Sequence, residues 1–335
     1  MRREALAAPR AVAQLLSADD PYTELGARLR FEPPQSVVTI ARGSSDHAAA
    51  FLGYLIMAHL GKLVTSLPMS LVTLYQPKID GKGLLSIALS QSGRSPDLII
   101  PTETFRKSGA CTVALVNEVN SPLAAAAEWT IPLHAGDERS VAATKSFICE
   151  LAASVRLLSA WCSSELRTDL LAELPIALEE AAQTDWSPAL EVLKDADRLF
   201  VIGRGTCLPI ALEAALKFKE TCGIQAEAFS AAEVKHGPMA LVNDEYPLLV
   251  FAPHGPTQAS LIALAQEMRG RSRKVLLAAP PEVKGADLPM VDTGSEILNP
   301  IVAIQSFYPM VEALARARGF NPDVPPHLNK VTLTK

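Results

Sequence analysis

Aromatic residues make up only 5% of this 335-residue chain, and no Lys/Arg run breaks its mixed charge pattern. A basic, aromatic-interleaved surface of the kind that binds nucleic acid is therefore absent, and the net charge of -5 points the same way. The five cysteines, Cys111, Cys149, Cys162, Cys207 and Cys222, are odd in number and in no paired spacing. That excludes a disulfide frame and fits buried thiols of a reducing compartment. No CxxC, HExxH or His/Cys cluster occurs, so neither a metal nor another cofactor is expected. The apolar run Ala48 to Leu60 is too short to span a bilayer and carries His59. The opening Met-Arg-Arg-Glu-Ala-Leu-Ala-Ala-Pro-Arg has no apolar core of a signal peptide, so a cytoplasmic protein without a membrane segment is expected.

What the chain does have is enough apolar sequence, 49%, for two ordinary domains. Apolar runs bounded by turn residues alternate with helical patterns, which predicts βαβ units and parallel sheets. The expected strands are 36–41, 84–89, 112–116 and 129–133, then 199–203, 247–252, 274–279 and 290–292. The halves align at one offset of 162 residues without a gap. Ala41-Arg42-Gly43-Ser44 falls on Gly203-Arg204-Gly205-Thr206, Gly61 on Gly223, Gly93 on Gly255 and Ser95 on Thr257. Two copies of one doubly wound α/β domain are therefore expected, at 1–172 and 187–318. They are joined through the acidic stretch Glu165–Asp185 and followed by a tail at 319–335.

The copies differ where chemistry would sit. In the first, the strand ends in Ser90-Gln91-Ser92-Gly93-Arg94-Ser95-Pro96. Ser95 suits an N-cap and Pro96 the first helical position. A Ser/Gly loop before a helix N-terminus is a phosphate cradle, and Gly43-Ser44-Ser45 opens another beside it; the same residues also serve ordinary caps and turns. In the second copy the matching loop, Pro253-His254-Gly255-Pro256-Thr257, is poorer in hydroxyls. There the chemistry-bearing residues are Glu213, Lys217 and Glu220, at i, i+4 and i+7 on one helical stripe, followed by Glu233, Lys235 and His236 before Gly237-Pro238. Acids, an amine and a histidine this close suit proton transfer on a small polar substrate. A solvent-exposed i,i+4 ion pair and a turn histidine are the plainer readings. Lys330, near the restraining Pro325-Pro326, is either a loose tail residue or a docked one.

Five segments together resemble the sugar isomerase (SIS) family: Ser90-Gln91-Ser92-Gly93, Glu138 through Lys145, Glu213–Glu220, Glu233–Pro238 and Leu328-Asn329-Lys330. The whole chain is similar to the isomerase half of glucosamine-6-phosphate synthase and to related stand-alone sugar-phosphate deaminases. The resemblance implies two tandem SIS domains with Ser45, Ser90, Gln91, Ser92 and Ser95, next to Ser44, on the substrate's phosphate. It implies Glu220 as the base between C1 and C2, His236 as the ring opener reaching in from a neighbouring subunit, and Lys330 as an imine-forming lysine. Glu213 and Lys217 would line the sugar site, and Glu138, Val141 and Ala143 belong to a substrate-contacting loop. No counterpart of the synthase's glutaminase domain is expected, residue 2 being Arg2; Arg94 stands where an acidic residue is usual, and Asn329, in His327-Leu328-Asn329-Lys330, where the synthase has an alanine before the lysine. The expected activity is conversion of glucosamine-6-phosphate to fructose-6-phosphate plus ammonia by a homodimer. A related enzyme for another phosphorylated sugar amine and a non-catalytic sugar-phosphate sensor are the alternatives.

Overall fold

The computed structural model describes residues 1–162 and 168–330. Glu165 of the acidic stretch and the end of the tail, 331–335, lie outside them. In chain order the elements are α1 (Arg2–Ser17), α2 (Tyr22–Phe31), β1 (Ser36–Ile40), α3 (Ser44–Leu60), β2 (Val64–Ser66), β3 (Leu84–Ser90), α4 (Pro96–Lys107), β4 (Cys111–Val116), α5 (Pro122–Ala126), β5 (Trp129–Pro132) and α6 (Lys145–Cys162). Then follow α7 (Thr168–Ala181), α8 (Ser187–Leu193), β6 (Arg198–Gly203), α9 (Leu208–Cys222), β7 (Gln225–Ser230), β8 (Leu248–Phe251), α10 (Gln258–Arg269), β9 (Val275–Ala279), β10 (Leu288–Pro289) and α11 (Asn299–Ala317). Among the described residues no helix is long and apolar enough to cross a membrane.

The chain forms two compact units. One holds residues 10–138, 145–169 and the tail from 329; the other holds 1–9, 139–144 and 170–328. The first unit is built on a wholly parallel sheet in the order β2-β1-β3-β4-β5. Its central strands are near-continuous apolar runs because helices cover both faces. Ile40, Ala88, Ala114 and Val116 pack with Leu98 and Phe105 of α4 and Leu123 of α5. The second unit repeats the plan as β7-β6-β8-β9-β10, also wholly parallel. Phe200, Ile202, Leu248, Val250 and Leu277 pack with Leu261, Leu264 and Met268 of α10. Elsewhere in this unit, Phe307 of α11 meets Phe218 of α9 edge-on at 5.1 Å between centroids and Phe251 at 6.4 Å.

The two-copy expectation holds in the elements themselves. Helix α4 starts at 96 and α10 at 258, α3 ends before Gly61 and α9 before Gly223, each glycine at φ 63°. A left-handed C-cap is the position where glycine carries no Cβ penalty, so the repeat preserves the helix stop. Each sheet has five strands where four were expected. The missed strands β2 and β7 neighbour β1 and β6 at one sheet edge; β2 has only three residues, and β7, Gln-Ala-Glu-Ala-Phe-Ser, alternates exposed polar residues with small ones. The last strand lies at Leu288–Pro289 and not at 290–292. It pairs Leu288 with Ala278 and Pro289 with Ala279, and β9 ends there, which leaves nothing for longer pairing. Pro289 is tolerated because β10 is an edge. Cys149, Cys207 and Cys222 are buried as expected, Cys111 and Cys162 only half-buried, and none of the five is in a disulfide.

Candidate functional site

The strand order 2-1-3-4-5 makes the connections leaving β1 and β3 run to opposite sides, which opens a crevice at their carboxyl ends. In the first unit that crevice is bordered by both hydroxyl-rich loops. β1 leads through Gly43, at φ 56°, into Ser44 at the start of α3. β3 ends at the buried Ser90, and Gln91 and Ser92 follow half-buried in the bend before α4. Gly93 N–H donates to Ser90 Oγ at 3.0 Å, and Gly93 O accepts from Leu123 N–H at 3.1 Å. Gly93 sits at φ 61°, and a Cβ there would fall on Ser121 Oγ and within 2.6 Å of Ser121 Cβ. Gly93→Ala is therefore expected to cost roughly 2–4 kcal/mol, from left-handed strain plus overpacking. Urea denaturation checks it, and a loss below about 0.5 kcal/mol would show that the loop yields freely.

Ser95 is the N-cap of α4 with Pro96 at the first helical position, as expected. Its hydroxyl, however, does not cap the helix; it donates to Asp97 Oδ1 at 2.9 Å. Asp97, fully buried, accepts from Arg42 Nε at 2.8 Å on its other oxygen. Ser45 donates to Glu150 Oε1 at 2.7 Å, a carboxylate buried on α6. Arg42, Asp97 and Glu150 were not singled out from sequence, because their ties cross 55 and 105 positions.

The second unit carries the proton-transfer residues on α9. Glu213 and Lys217 are both fully buried, so the plain reading of a solvated i,i+4 pair is excluded. Lys217 Nζ lies 3.3 Å from Glu213 Oε1 and 2.5 Å from Glu220 Oε2. Tyr308 of α11 donates to Glu213 Oε1 at 3.3 Å. Burial alone would push the ammonium's pKa down, but Glu213 and Glu220 outweigh it and hold it above the ordinary lysine value. Lys217 is thus a locked cation, neither base nor nucleophile. It fixes one oxygen of Glu220, whose side chain, 21% exposed, is the member of the set that reaches solvent. His236 is exposed in a short 3-10 turn (Glu233–His236). Among the described residues no side chain takes its ring nitrogens.

At the position equivalent to the first copy's hydroxyl loop, the second copy places His254 between two carboxylates. Nδ1 is 2.6 Å from Asp292 and Nε2 is 3.3 Å from Glu282. The bond to Asp292 raises the His254 pKa. Among the described residues these three are the one group with metal-ligand composition and spacing. Both ring nitrogens face acids, the arrangement of a bracketed imidazolium, and the crevice carries negative charge where an anion cradle would carry donors.

In the first unit, Lys330 Nζ is 3.2 Å from Glu138 Oε2, and Glu138 also accepts from Ser146 N–H at 3.2 Å and Ser146 Oγ at 2.6 Å. Lys330 is therefore docked and not loose, and Glu138 anchors it. Val141 and Ala143 belong to residues 139–144 of the other unit. There Val141 N–H donates to Asp323 O at 3.2 Å, and Glu4 accepts the backbone N–H groups of Arg139 and Ser140.

A family model described as the SIS domain matches residues 31–160 and 192–278. The glutamine–fructose-6-phosphate aminotransferase (isomerizing) of Thermococcus kodakarensis is 33% identical over 314 residues, covering 88% of this chain and 51% of that protein. The chain thus spans about half the length of the curated relatives it matches. The crystal structure of a candidate phosphosugar isomerase from Silicibacter pomeroyi DSS-3 is 40% identical with a TM-score of 0.90, covering 96% of this chain and 99% of the other. The glucosamine-6-phosphate deaminase of Thermotoga maritima has the same fold at 21% identity, with a TM-score of 0.79 and 99% coverage of both chains. Two parallel sheets of one topology, each reached by the family model, and this degree of identity establish that the chain belongs to the SIS domain family.

Proposed function

We propose that the protein is an aldose–ketose isomerase that deaminates a 6-phosphorylated amino sugar, taking glucosamine-6-phosphate and water to fructose-6-phosphate and ammonia. The observation that carries this reading is the buried Glu213–Lys217–Glu220 arrangement, which holds one carboxylate beside a fixed cation and still open to solvent. The names of its relatives, a fructose-6-phosphate aminotransferase and a candidate phosphosugar isomerase, support the substrate class. Ser44, Ser45, Ser90, Gln91, Ser92 and Ser95 receive the phosphate, helped by the N-termini of α3 and α4. Glu138, Val141 and Ala143 border the sugar. His236 opens the ring of a substrate bound to a second copy in a homodimer; its exposed ring, which no side chain among the described residues engages, supports this. A protein that sediments strictly as a monomer and still turns over would overturn that placement.

In the open-chain amino aldose, Glu220 takes the proton from C2 and returns it to C1 through an enolamine. The resulting imine at C2 adds water, and ammonia leaves. Lys217 keeps its proton throughout and steadies the Glu220 carboxylate. Lys330 can condense with the ketose carbonyl, losing water to form an imine. It must first shed a proton, and Glu138 Oε2 at 3.2 Å is the acceptor beside it. The proposed division of labour follows 1–172 for phosphate, 187–318 for proton transfer and 319–335 for closure.

The exposed Arg94 and Asn329, at positions where the family usually carries other residues, favour a second substrate: another 6-phosphorylated sugar carrying a different amine, including an amino-acid adduct. Incubation with glucosamine-6-phosphate, with ammonia and fructose-6-phosphate measured together, tests the main reading. Binding of the ligand with neither product formed would reject it. Turnover only with a substituted amine would establish the second.

A further inference from the structure

We propose that Arg42 is a phosphate-binding residue, the cationic arm of the cradle formed by the two loops at the ends of β1 and β3. The inference rests on the phosphate assignment made above and adds to it a residue that the hydroxyl pattern does not contain. Asp97 is fully buried in the first turn of α4, and its two oxygens take Ser95 Oγ at 2.9 Å and Arg42 Nε at 2.8 Å. One carboxylate thus joins the two loops, with the Arg42 guanidinium on one of its oxygens and a cradle hydroxyl on the other.

Charge balance gives the pair its purpose. A phosphate monoester arriving at this crevice meets Asp97 and also Asp46, in the first turn of α3, whose carboxyl pKa is pushed up mainly by burial and opposed in part by His47 and Arg42. An anion accepted next to two acids needs a fixed cation, and serines and backbone N–H groups supply only dipoles. Arg42 meets that need. Its Nε is spent on Asp97, its side chain is 55% exposed, and among the described residues no side chain takes its Nη groups. A guanidinium keeps parallel donors available after one edge is occupied, which an ammonium does not. Arg94 also carries a positive charge on the second loop but is exposed, with no described partner to aim it.

The test is equilibrium binding by calorimetry on the intact protein, with fructose-6-phosphate, inorganic phosphate and fructose as the three probes. Arg42→Gln is expected to weaken both phosphorylated probes at least tenfold and leave fructose binding within twofold. Arg42→Lys should recover part of the loss, and Arg94→Gln should cost less than threefold. Thermal melts of each variant show whether a loss comes from the fold; a purely structural tie would weaken fructose as much as fructose-6-phosphate, which overturns the proposal. Unchanged phosphate affinity in Arg42→Gln, or an equal loss in Arg94→Gln, also overturns it. If wild type binds inorganic phosphate but no sugar phosphate, the proposed function fails while the phosphate arm still judges Arg42. If it binds neither, both fail.

Discussion

On the proposed mechanism, Glu220→Gln is expected to lower turnover of glucosamine-6-phosphate by about 10²–10⁴-fold while substrate affinity and melting temperature stay close to wild type. The size follows from the role. An amide has the shape and hydrogen-bonding reach of the carboxylate but cannot accept a proton from carbon, so chemistry stops while packing survives. Affinity should hold because Glu220 is not among the groups assigned to the phosphate. Stability should hold because Glu220 is partly exposed and Lys217 retains Glu213 at 3.3 Å, while a glutamine oxygen still accepts from the ammonium. The decisive readout is exchange of the substrate's C2 hydrogen with deuterated water, which reports proton abstraction before any ammonia leaves. Exchange at the wild-type rate in Glu220→Gln would assign the base elsewhere, and loss of binding together with turnover would make Glu220 a binding residue instead.

The repeat was legible because it is written in positions that backbone geometry constrains. Gly61 and Gly223 stop equivalent helices in the left-handed conformation, and α4 and α10 begin 162 residues apart. Helix stops tolerate few residue types, so they survive divergence that erases side-chain similarity. The edge strands β2 and β7 were invisible for the converse reason. β2 and β7 bury little and so need no hydrophobic alternation that a reader could detect.

The site divides in the same way. The i, i+4, i+7 stripe of Glu213, Lys217 and Glu220 could be read locally, because a helix sets which residues are neighbours. Its burial could not, since that depends on what covers α9, including Tyr308 from 95 positions away. Ser95 was correctly placed as an N-cap, yet its hydroxyl turns to Asp97, because a buried carboxylate two residues on competes with the backbone N–H groups. Local sequence thus locates the hydroxyls and acids. Which of them are committed to one another, and which remain available to a ligand, is settled by contacts between loops that no spacing rule encodes.

Lys217→Met is expected to cost about 3–5 kcal/mol of stability, the largest loss from any single change in the cluster. The ammonium and Glu213 are both fully buried, and methionine fills nearly the same volume, so packing changes little. What remains is the Glu213 carboxylate facing a thioether in a dry interior, and an uncompensated buried charge is the costly state. The pH dependence separates this cause from a packing defect. Without its cation, Glu213 must have a folded-state pKa above its unfolded value of about 4.3. Below that value both states are protonated and the penalty vanishes; it grows as pH rises toward the folded pKa. Urea midpoints at pH 5 and pH 8 should therefore show a smaller deficit for the variant at pH 5. In wild type the sign is different. The Lys217 pKa is raised in the folded state, so its contribution is complete below the unfolded lysine value of about 10.4 and fades only at higher pH. Across pH 5–8 Lys217 should therefore keep its full contribution. Adding Glu213→Gln to Lys217→Met removes the stranded charge and should restore most of the stability without restoring turnover, since Glu220 has lost the cation that holds it. A deficit equal at both pH values, or undiminished in the double variant, would show that shape and not charge pairing keeps Lys217 in the core.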